Sequence, residues 1–422
     1  MRITLTTAGS YGDVAPYTGL GARLAAGGHE VTLAADDRYA PLARAAGLAF
    51  RALPADPRAT RPADGRDATP TDRRALMRRA AAFLEQLGTG LADAVPEDTE
   101  LLLLSTTTAP LGWHLAEALG IPSAGAYLVP TAPTRAFPPV LSGGRSLGGW
   151  GNRTAGRLSL RVVDRLHARA ARALRTRLGL PPTSPGTVRR RAEAANWPVL
   201  HGFSELLVPR PADWRPGLRI TGTWWPHHPA DAQLPPALED FLAAGPPPVY
   251  LGFGSMSSAH AARLTSLAVR ALRRAGLRGL LLTANSALTA PESPSDDVLA
   301  LPAEVPHALL LPRVAAAVHH CGAGTSAAVL RAGLPSVPVP FTGDQPFWAA
   351  RLTALGTATA PLPLTALAKD LSPDDAAARL AAALTEATTT AALRTRARAA
   401  ARHLATEDGP TTALQALPDL LP

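Results

Sequence analysis

The chain has 422 residues, 46% of them hydrophobic, and a formal net charge of +9 at pH 7. A chain of this length can form two domains of about 200 residues, each with its own hydrophobic core. A single cysteine excludes an intramolecular disulfide framework, and the paired CxxC and HxxxH spacings of structural zinc sites are absent from the sequence. The composition therefore predicts a two-domain protein of a reducing compartment, without structural zinc.

The N-terminal sequence MRITLTTAGS predicts a strand that leads into a turn. It lacks the charged n-region and the apolar h-region of a signal peptide. No apolar run in the sequence approaches the roughly 18 residues that are needed to span a bilayer. We therefore expect a cytoplasmic protein.

In the first half of the chain, β-rich apolar runs alternate with alanine-rich amphipathic segments. Repeated βα units of this kind predict a parallel sheet that is covered on both faces. Strands are predicted at residues 1–6, 30–34, 101–105 and 123–129. Helices are predicted around residues 18–27, 39–46, 71–90 and 111–120.

In residues 153–172, arginine recurs at nearly every fourth position along one helix face. Such a stripe is a solvated helix face, a surface for nucleic-acid phosphates or a patch for an anionic membrane. Aromatic stacking residues and a nucleic-acid-binding motif are absent from this stretch. We favour the solvated face, expect no nucleic-acid partner and leave peripheral contact with a membrane open. The arginines are Arg153, Arg157, Arg161, Arg165, Arg169 and Arg172.

A connection rich in proline and tryptophan follows, and this composition favours an extended, semi-rigid path over a packed helix. The βα alternation then resumes and predicts a second Rossmann-like sheet. Its predicted strands are residues 248–252, 279–284, 298–301, 315–319 and 336–340, with a helix at 259–275. The predicted domains are 1–208, a linker at 209–247, 248–400 and a C-terminal helix at 401–422.

The segment HHCGAGTSAAVLRAGLPSVPVPFTGDQ, which runs from His319 to Gln345, predicts a ligand-binding edge of the second sheet. A strand, a glycine-rich turn and a helix in this order present free N–H groups and the positive end of a helix dipole to a phosphate. His320 can donate a hydrogen bond to a diphosphate oxygen, and Asp344 and Gln345 carry groups that bond sugar hydroxyls. An ordinary strand-to-helix turn with a core histidine is the alternative interpretation.

Several separated motifs occur in a fixed order: GSYGDVAP, PVLHGFSELLVPRPADW, TGTWW, GFGSM, EVPHALLLPRVAAAVHHCGAGT and GDQPFW. This series resembles family 1 glycosyltransferases, in particular the branch that includes sterol glucosyltransferases and bacterial antibiotic glycosyltransferases. The resemblance implies the α/β GT-B fold, in which two Rossmann-like parallel-sheet domains face each other across a cleft. The second domain then holds most of the nucleotide sugar, and the first holds most of the acceptor. Cys321 stands where that branch usually has glycine, and we expect it to narrow the loop without removing its N–H donors.

The resemblance assigns donor-binding residues by position. Val305 and His307 fall where family members contact the nucleotide base, and Asp344 and Gln345 match residues that bond the sugar hydroxyls, which favours glucose-like donors over deoxysugars. Glu304 occupies the position of a tryptophan that stacks on uracil in plant enzymes, so UDP and dTDP donors both stay open. The residues assigned to the diphosphate are Ser10, Ser255, His320, Gly322, Ala323, Gly324 and Thr325.

Asp13, in the motif GSYGDVAP, is the candidate general base. A carboxylate that takes the proton of an acceptor hydroxyl as the new bond forms contributes about 10²–10⁴-fold to the rate. The resemblance implies this role for Asp13, whereas the residues alone also fit a turn former or a helix cap.

These features predict an inverting hexosyltransferase that moves a hexose, with glucose favoured, from UDP-glucose or a dTDP-sugar to a hydroxyl of a hydrophobic natural product or sterol-like acceptor. Because no Asp-x-Asp pair is present, we expect transfer without a metal ion or other cofactor. The alternatives are a nucleotide-sugar epimerase of the GT-B fold and a non-catalytic glycosyltransferase partner. We expect a monomer or weak dimer.

The acceptor pocket is expected to be lined by residues 55–72, residues 127–150 and the arginine-rich helix. Residues 55–72 are charged, contain proline and are poor in large apolar side chains, which predicts a mobile surface loop.

Overall fold

The structure is a computed structural model that describes residues 1–54, 73–143, 145–229, 231–254, 261–284, 288–291 and 295–421. Within these ranges the chain forms one seven-stranded and one five-stranded parallel sheet, each covered by helices. The predicted architecture of two Rossmann-like domains is confirmed. The predicted loop at residues 55–72 lies outside the described residues.

The first sheet contains β1 (Arg2–Thr6), β2 (Glu30–Ala35), β3 (Ala49–Ala52), β4 (Leu101–Leu104), β5 (Ser123–Tyr127), β6 (Val199–His201) and β7 (Leu218–Ile220). Its strand order is β3-β2-β1-β4-β5-β6-β7, and every pair of neighbours is parallel. The four predicted strands are present. The sequence analysis did not predict β3, β6 or β7, because runs of three or four residues carry too little periodicity to be recognised.

Helices cover both faces of the first sheet. They are α1 (Tyr11–Ala26), α2 (Ala40–Ala45), α3 (Arg73–Ala94), α4 (Ala109–Leu119), α5 (Gly148–Arg177) and α6 (Pro185–Ala194). Side chains of α1 and α2 form an apolar core on one face of the sheet, and side chains of α3, α4 and α5 form a core on the other. None of the helices in the described ranges combines the length and apolar character needed to cross a membrane.

The second sheet contains β8 (Val249–Gly252), β9 (Gly279–Leu282), β10 (Val298–Leu301), β11 (Ala316–His319) and β12 (Ser336–Pro338) in the order β10-β9-β8-β11-β12. All five strands lie at predicted positions. The helices of this half are α7 (Pro236–Ala243), α8 (Ala261–Arg274), α9 (His307–Leu310), α10 (Ala323–Arg331), α11 (Gln345–Ala354), α12 (Pro373–Thr389), α13 (Ala391–Leu404) and α14 (Gly409–Gln415).

The domain limits differ from the predicted ones at the connection. Strand β7 lies inside the segment assigned to the linker, yet it pairs with β6 and therefore belongs to the first domain. Helix α7 lies in the same segment, and its Leu238 and Leu242 belong to the core of the second domain. At the C-terminus, α13 contacts α10, and α14 packs on α1, where Arg23 Nε donates to Thr411 Oγ1 at 2.8 Å.

An apolar cluster joins the two domains. The Phe137 and Phe347 rings lie 5.3 Å apart, and the Phe203 and Trp348 rings 6.0 Å apart. Burial of a side chain such as Phe347 contributes about 1.5–3 kcal/mol. Two domains that share such a core are held in one relative orientation.

The connection after β7 also ties α1 to α10. The Arg331 guanidinium, at the end of α10, lies 4.4 Å from the centre of the Trp225 ring. Gly19 of α1 permits this path, because a Cβ at Gly19 would lie 1.8 Å from the Trp225 carbonyl oxygen. Helices α1 and α10 are themselves in contact. Since α1 follows β1 and α10 follows β11, these contacts direct the carboxyl ends of β1 and β11 toward one cleft.

Candidate active site

Asp13 lies in the first turn of α1, which begins at Tyr11. The sequence analysis predicted this helix only from about residue 18, and this was wrong because Ser10 and Asp13 act as the N-cap and third residue of a capping box that starts the helix earlier. The Ser10 N–H and the Ser10 hydroxyl donate to the same oxygen, Asp13 Oδ2, at 2.7 and 2.8 Å. The two hydrogen bonds fix the orientation of the carboxylate.

Gly9 is required next to this carboxylate. Its φ is +152°, and a Cβ on Gly9 would lie 2.4 Å from Asp13 Oδ2. A side chain at position 9 would therefore displace the carboxylate from the place that Ser10 gives it.

The pKa of Asp13 is raised above its usual value. Weak solvation by the surrounding protein is the main cause, and the backbone and side-chain hydrogen bonds from Ser10 oppose it. The side chain is nevertheless exposed to solvent, so the loss of solvation is that of a cleft rather than of a closed core. A carboxylate in such a position is accessible to a substrate and is a stronger base than an ordinary aspartate.

In the second domain, on the other side of the cleft from Asp13, the His320 ring lies against the backbone of two glycines. A Cβ on Gly254 would lie 2.6 Å from His320 Cε1, and a Cβ on Gly322 would lie 2.6 Å from His320 Nε2. Burial lowers the pKa of His320 to about 4, with partial compensation from a hydrogen bond to the Gly252 backbone. His320 is therefore neutral at pH 7 and carries one ring N–H.

The glycine-rich segment after β11 forms the N-terminus of α10. The first intrahelical hydrogen bond runs from Ser326 N–H to the Gly322 carbonyl at 2.9 Å. The N–H groups of Ala323, Gly324 and Thr325 precede that bond and are the donors that a helix N-terminus offers to an anion.

Cys321 has a backbone conformation that is uncommon for residues other than glycine. Its φ is +64°, a left-handed conformation that explains why glycine is usual at this position. Its N–H donates to His319 Nδ1 at 3.2 Å. The expectation that the cysteine leaves the N–H donors of the loop in place stays a prediction. The thiol is buried, and burial raises its pKa, which makes it unreactive.

His307 begins α9, and its Nε2 lies 3.2 Å from the hydroxyl of Tyr250 on β8. Burial lowers the pKa of His307 to about 4, with smaller contributions from His228 and His320. Val305 packs against the core of the second domain. The sequence analysis missed Tyr250 and His228, since a strand tyrosine and a histidine in the connection give no signal before the fold brings them here.

Asp344 is the N-cap of α11, and its Oδ2 accepts a hydrogen bond from Trp348 Nε1 at 2.7 Å. Burial raises the pKa of Asp344, the Trp348 hydrogen bond lowers it, and the charge of Asp13 raises it further. Gln345 Oε1 accepts from the backbone N–H groups of Phe341 and Thr342 at 2.8 and 3.2 Å, which holds the loop before α11.

Two electrostatic contacts cross the cleft. Asp13 of the first domain acts on Asp344 of the second, and Glu304 of the second domain raises the pKa of Tyr11 in the first, after the larger effect of burial. The carboxylate of α1 and the loops of the second domain thus interact electrostatically. Ser255, predicted to face the phosphates, lies outside the described residues.

Within the described ranges, no group of three or more histidine, cysteine, aspartate and glutamate residues is placed to hold a metal ion. Transfer without a metal ion stays a prediction.

Comparison with known proteins agrees with this architecture. Residues 3–138 match the family described as Glycosyltransferase family 28 N-terminal domain, and residues 285–420 match Erythromycin biosynthesis protein CIII-like, C-terminal domain. The chain is 37% identical to O-mycaminosyltylonolide 6-deoxyallosyltransferase of Streptomyces fradiae, over 97% of this chain and 95% of that protein. It is 32% identical to sterol 3-beta-glucosyltransferase UGT80A2 of Arabidopsis thaliana, over 86% of this chain but only 58% of that protein.

Solved glycosyltransferase structures share the fold. The glycosyltransferase of kitacinnamycin aligns with a TM-score of 0.71 at 22% identity and covers 100% of this chain and 99% of its own. SsfS6 of Streptomyces sp. SF2575, complexed with thymidine diphosphate, aligns with a TM-score of 0.62 at 20% identity, over 99% of both chains.

The fold and the cleft thus define a two-domain GT-B glycosyltransferase. The chain belongs to family 1 of these enzymes, in the branch of sterol glucosyltransferases and bacterial antibiotic glycosyltransferases.

Proposed function

We propose that this glycosyltransferase transfers a hexose from a nucleoside-diphosphate sugar to a hydroxyl of a hydrophobic acceptor, with inversion at the anomeric carbon. The observation that carries the proposal is the contact between α1, which begins beside Asp13, and α10, which begins at the glycine-rich loop. The charge of Asp13 also raises the pKa of Asp344, which agrees with this arrangement. This supports the proposal that a candidate base and a candidate sugar ligand, one from each domain, act on the same substrate.

Asp13 acts as the general base. Ser10 holds Oδ2 through both of its donors, and Oδ1, which accepts no hydrogen bond within the described ranges, is the oxygen that takes the acceptor proton. As the acceptor oxygen bonds to the anomeric carbon, its proton passes to Asp13, and the bond from that carbon to the diphosphate breaks. The nucleoside diphosphate leaves with the electron pair on the side opposite to attack, which inverts the configuration.

The second domain stabilises the leaving group. Negative charge grows on the diphosphate in the transition state, and the first N–H groups of α10 are donors that need no reorganisation to meet it. The His320 N–H joins them when it exchanges the Gly252 backbone for the diphosphate. Each such donor contributes about 3–4 kcal/mol in comparable oxyanion sites.

Two relatives bear on the donor. By their names, the Streptomyces fradiae protein transfers a 6-deoxyallosyl group and the Arabidopsis protein a glucosyl group. A 6-deoxyhexose keeps its remaining ring hydroxyls, so a sugar site built on Asp344 accommodates both donor classes. We propose a hexose donor that is either glucose or a 6-deoxyhexose, and a donor screen distinguishes the two.

The acceptor is proposed to be a large apolar molecule. Leu141, Leu147 and Trp150 are exposed to solvent, and all three lie in the segment predicted to line the acceptor pocket. Exposed apolar side chains grouped in this way are typical of a surface that binds an apolar ligand.

The test is a mass-spectrometric screen of UDP-glucose, dTDP-glucose and a dTDP-6-deoxyhexose against a panel of hydrophobic alcohols. The Asp13→Asn variant should lose about 10²–10⁴-fold in kcat while its UDP affinity stays unchanged, because only the proton acceptor is lost. Asp37→Asn, which alters an exposed aspartate after β2, is the matched control.

Full turnover by the Asp13→Asn protein would exclude Asp13 as the base. Conversion of the donor without any acceptor would indicate the epimerase alternative. No turnover of any donor with any acceptor, together with donor binding, would indicate the non-catalytic partner.

A further inference from the structure

A cavity of about 470 Å³ lies in the first domain, between β6 and the helices α4, α5 and α6. None of the residues assigned above to the base, the diphosphate, the nucleotide or the sugar lines it. Its volume is that of a site for a small molecule. It is therefore a place for a ligand other than the nucleotide sugar.

The lining is strongly basic. It contains two carboxylates, Glu193 and Asp213, and six arginines, which are Arg153, Arg157, Arg161, Arg189, Arg190 and Arg215. Arg189 pairs with Asp164 and Glu193, and Arg153 lies 3.9 Å from Asp213.

The remaining arginines are not neutralised. In the described part of the chain, Arg157 and Arg161 have no ion pair, while Arg215 and Arg190 contact only the uncharged Asn196 and Thr187. Burial lowers the pKa of Arg215, and the more distant Glu193 opposes this only in part. The cavity thus carries excess positive charge that an anion would neutralise.

Three buried polar atoms of the lining residues lack partners. Trp113 Nε1, Trp214 Nε1 and His201 Nε2 have no hydrogen bond within the described ranges. His201 Nδ1 lies 2.9 Å from the Arg219 carbonyl and therefore carries the ring hydrogen, which leaves Nε2 as an acceptor. These three atoms have almost no solvent-accessible surface, so they lie behind the cavity wall and are not direct partners for a ligand in the cavity.

The walls are aromatic as well as basic. Trp113 and Trp197 meet edge to face at 5.4 Å, and the His201 and Trp214 rings stack at 4.9 Å. His201 and Trp214 are buried, whereas Trp113 and Trp197 are partly exposed and are the aromatic side chains that a ligand can reach. Aromatic side chains favour a planar ligand, and arginine favours carboxylate, sulfonate or phosphate groups.

We propose that this cavity binds a small aromatic anion, with its acidic group on Arg157 and Arg161 and its ring against the tryptophans. The cavity shares no residue with those assigned to the donor. Tyr127, Arg157 and Arg161 do lie in segments that the sequence predicts to line the acceptor pocket, so the proposal rests in part on the proposed function.

The test uses two matched fluorescent probes, 8-anilinonaphthalene-1-sulfonate and its neutral analogue N-phenyl-1-naphthylamine. The sulfonate should bind saturably, one per chain, and at least about tenfold more tightly than the neutral probe. The Arg157→Glu/Arg161→Glu protein should bind it at least about tenfold more weakly. The control Arg165→Glu/Arg172→Glu changes two exposed arginines of the same helix that do not line the cavity, and it should bind normally.

Equal affinity for the two probes, equal weakening in the two double variants, or absence of saturable binding would overturn the proposal. Displacement of the sulfonate by UDP would also overturn it, because the probe would then occupy the donor cleft. UDP titration of both variants separates this result from the proposed function, since UDP affinity should be unchanged in each. Thermal unfolding of both variants verifies that the fold is intact.

Discussion

The two sides of the cleft hold their polar groups in different ways. On the first domain, Asp13 is exposed and is fixed by its near neighbours Gly9 and Ser10. On the second domain, His320 is largely buried, and Gly254 and Gly322 confine its ring from two separate segments of the chain. The orientation of the charged base, Asp13, thus depends on residues next to it in the sequence. The position of the neutral donor, His320, depends instead on packing between separate segments at the edge of the second sheet.

The difference has a physical reason. A carboxylate that accepts a proton needs access to the substrate and an adjustable pKa, which exposure in a cleft and hydrogen bonds from Ser10 supply. A histidine that donates to a growing negative charge works best when it is preorganised and poorly solvated. Its low pKa of about 4 follows from the same burial.

The largest effect on kcat should come from a substitution in the first domain, next to Asp13. Replacement of Gly9 by Ala places a Cβ 2.4 Å from Asp13 Oδ2 and should reduce kcat by about 10²–10⁴-fold, as loss of the base would. Gly12→Ala is the control, because the nearest contact of a Cβ there is Ser10 Oγ at 4.0 Å. Steady-state kinetics gives kcat for both variants, and a UDP titration gives their donor affinity. Normal turnover by the Gly9→Ala protein would contradict the assigned orientation of Asp13.

On the other side, His320→Ala should lower kcat by about 10²–10³-fold through loss of one oxyanion donor. Because the pKa of His320 is about 4, the histidine is already neutral at higher pH. The rate ratio of the unmodified protein to the variant should then be constant from about pH 6 to about pH 9. His403→Ala, at an exposed histidine on α13, is the control. A ratio that changes near pH 6.5, the usual histidine value, would show that His320 acts as a cation.

A smaller effect is expected for Ser10→Ala. The Ser10 hydroxyl lowers the pKa of Asp13, so its removal should raise that pKa, and the acid limb of the kcat profile should move to higher pH. Loss of the N-cap side chain should also cost about 1 kcal/mol in unfolding free energy. Ser10→Thr should restore both the position of the acid limb and the unfolding free energy. If Ser10 binds the diphosphate, as the sequence predicted, UDP affinity would fall instead and the profile would keep its position.

The smallest effect is expected for Cys321→Gly. Glycine relieves the left-handed conformation at φ +64° but loses a buried thiol and adds unfolded-state entropy. We expect a change in unfolding free energy within about 1 kcal/mol and nearly normal kinetics. Cys321→Val should be clearly more destabilising, since a β-branched residue rarely adopts positive φ. A thermal denaturation series checks this order, and a stable valine variant would contradict it.

Much of the fold could be predicted because apolar periodicity in parallel βα units is a local signal. The nine predicted strands all exist, whereas β3, β6 and β7 are too short to be recognised. The start of α1 was missed although its signal, Ser10 followed by Asp13, is present in the sequence. The glycine-rich loop before α10 was found because its order of strand, glycine turn and helix is also local.

The sequence by itself determined the chain's two parallel sheets, its family motifs and the residue types at the cleft, since each depends on neighbours within a few positions. Only the tertiary structure decided which of these groups meet. The electrostatic effect of Asp13 on Asp344, the hydrogen bond of Tyr250 with His307 and the arginine-lined cavity join residues distant in the chain. Burial and distance set the pKa values and charges at these places, and both arise only when the domains pack together.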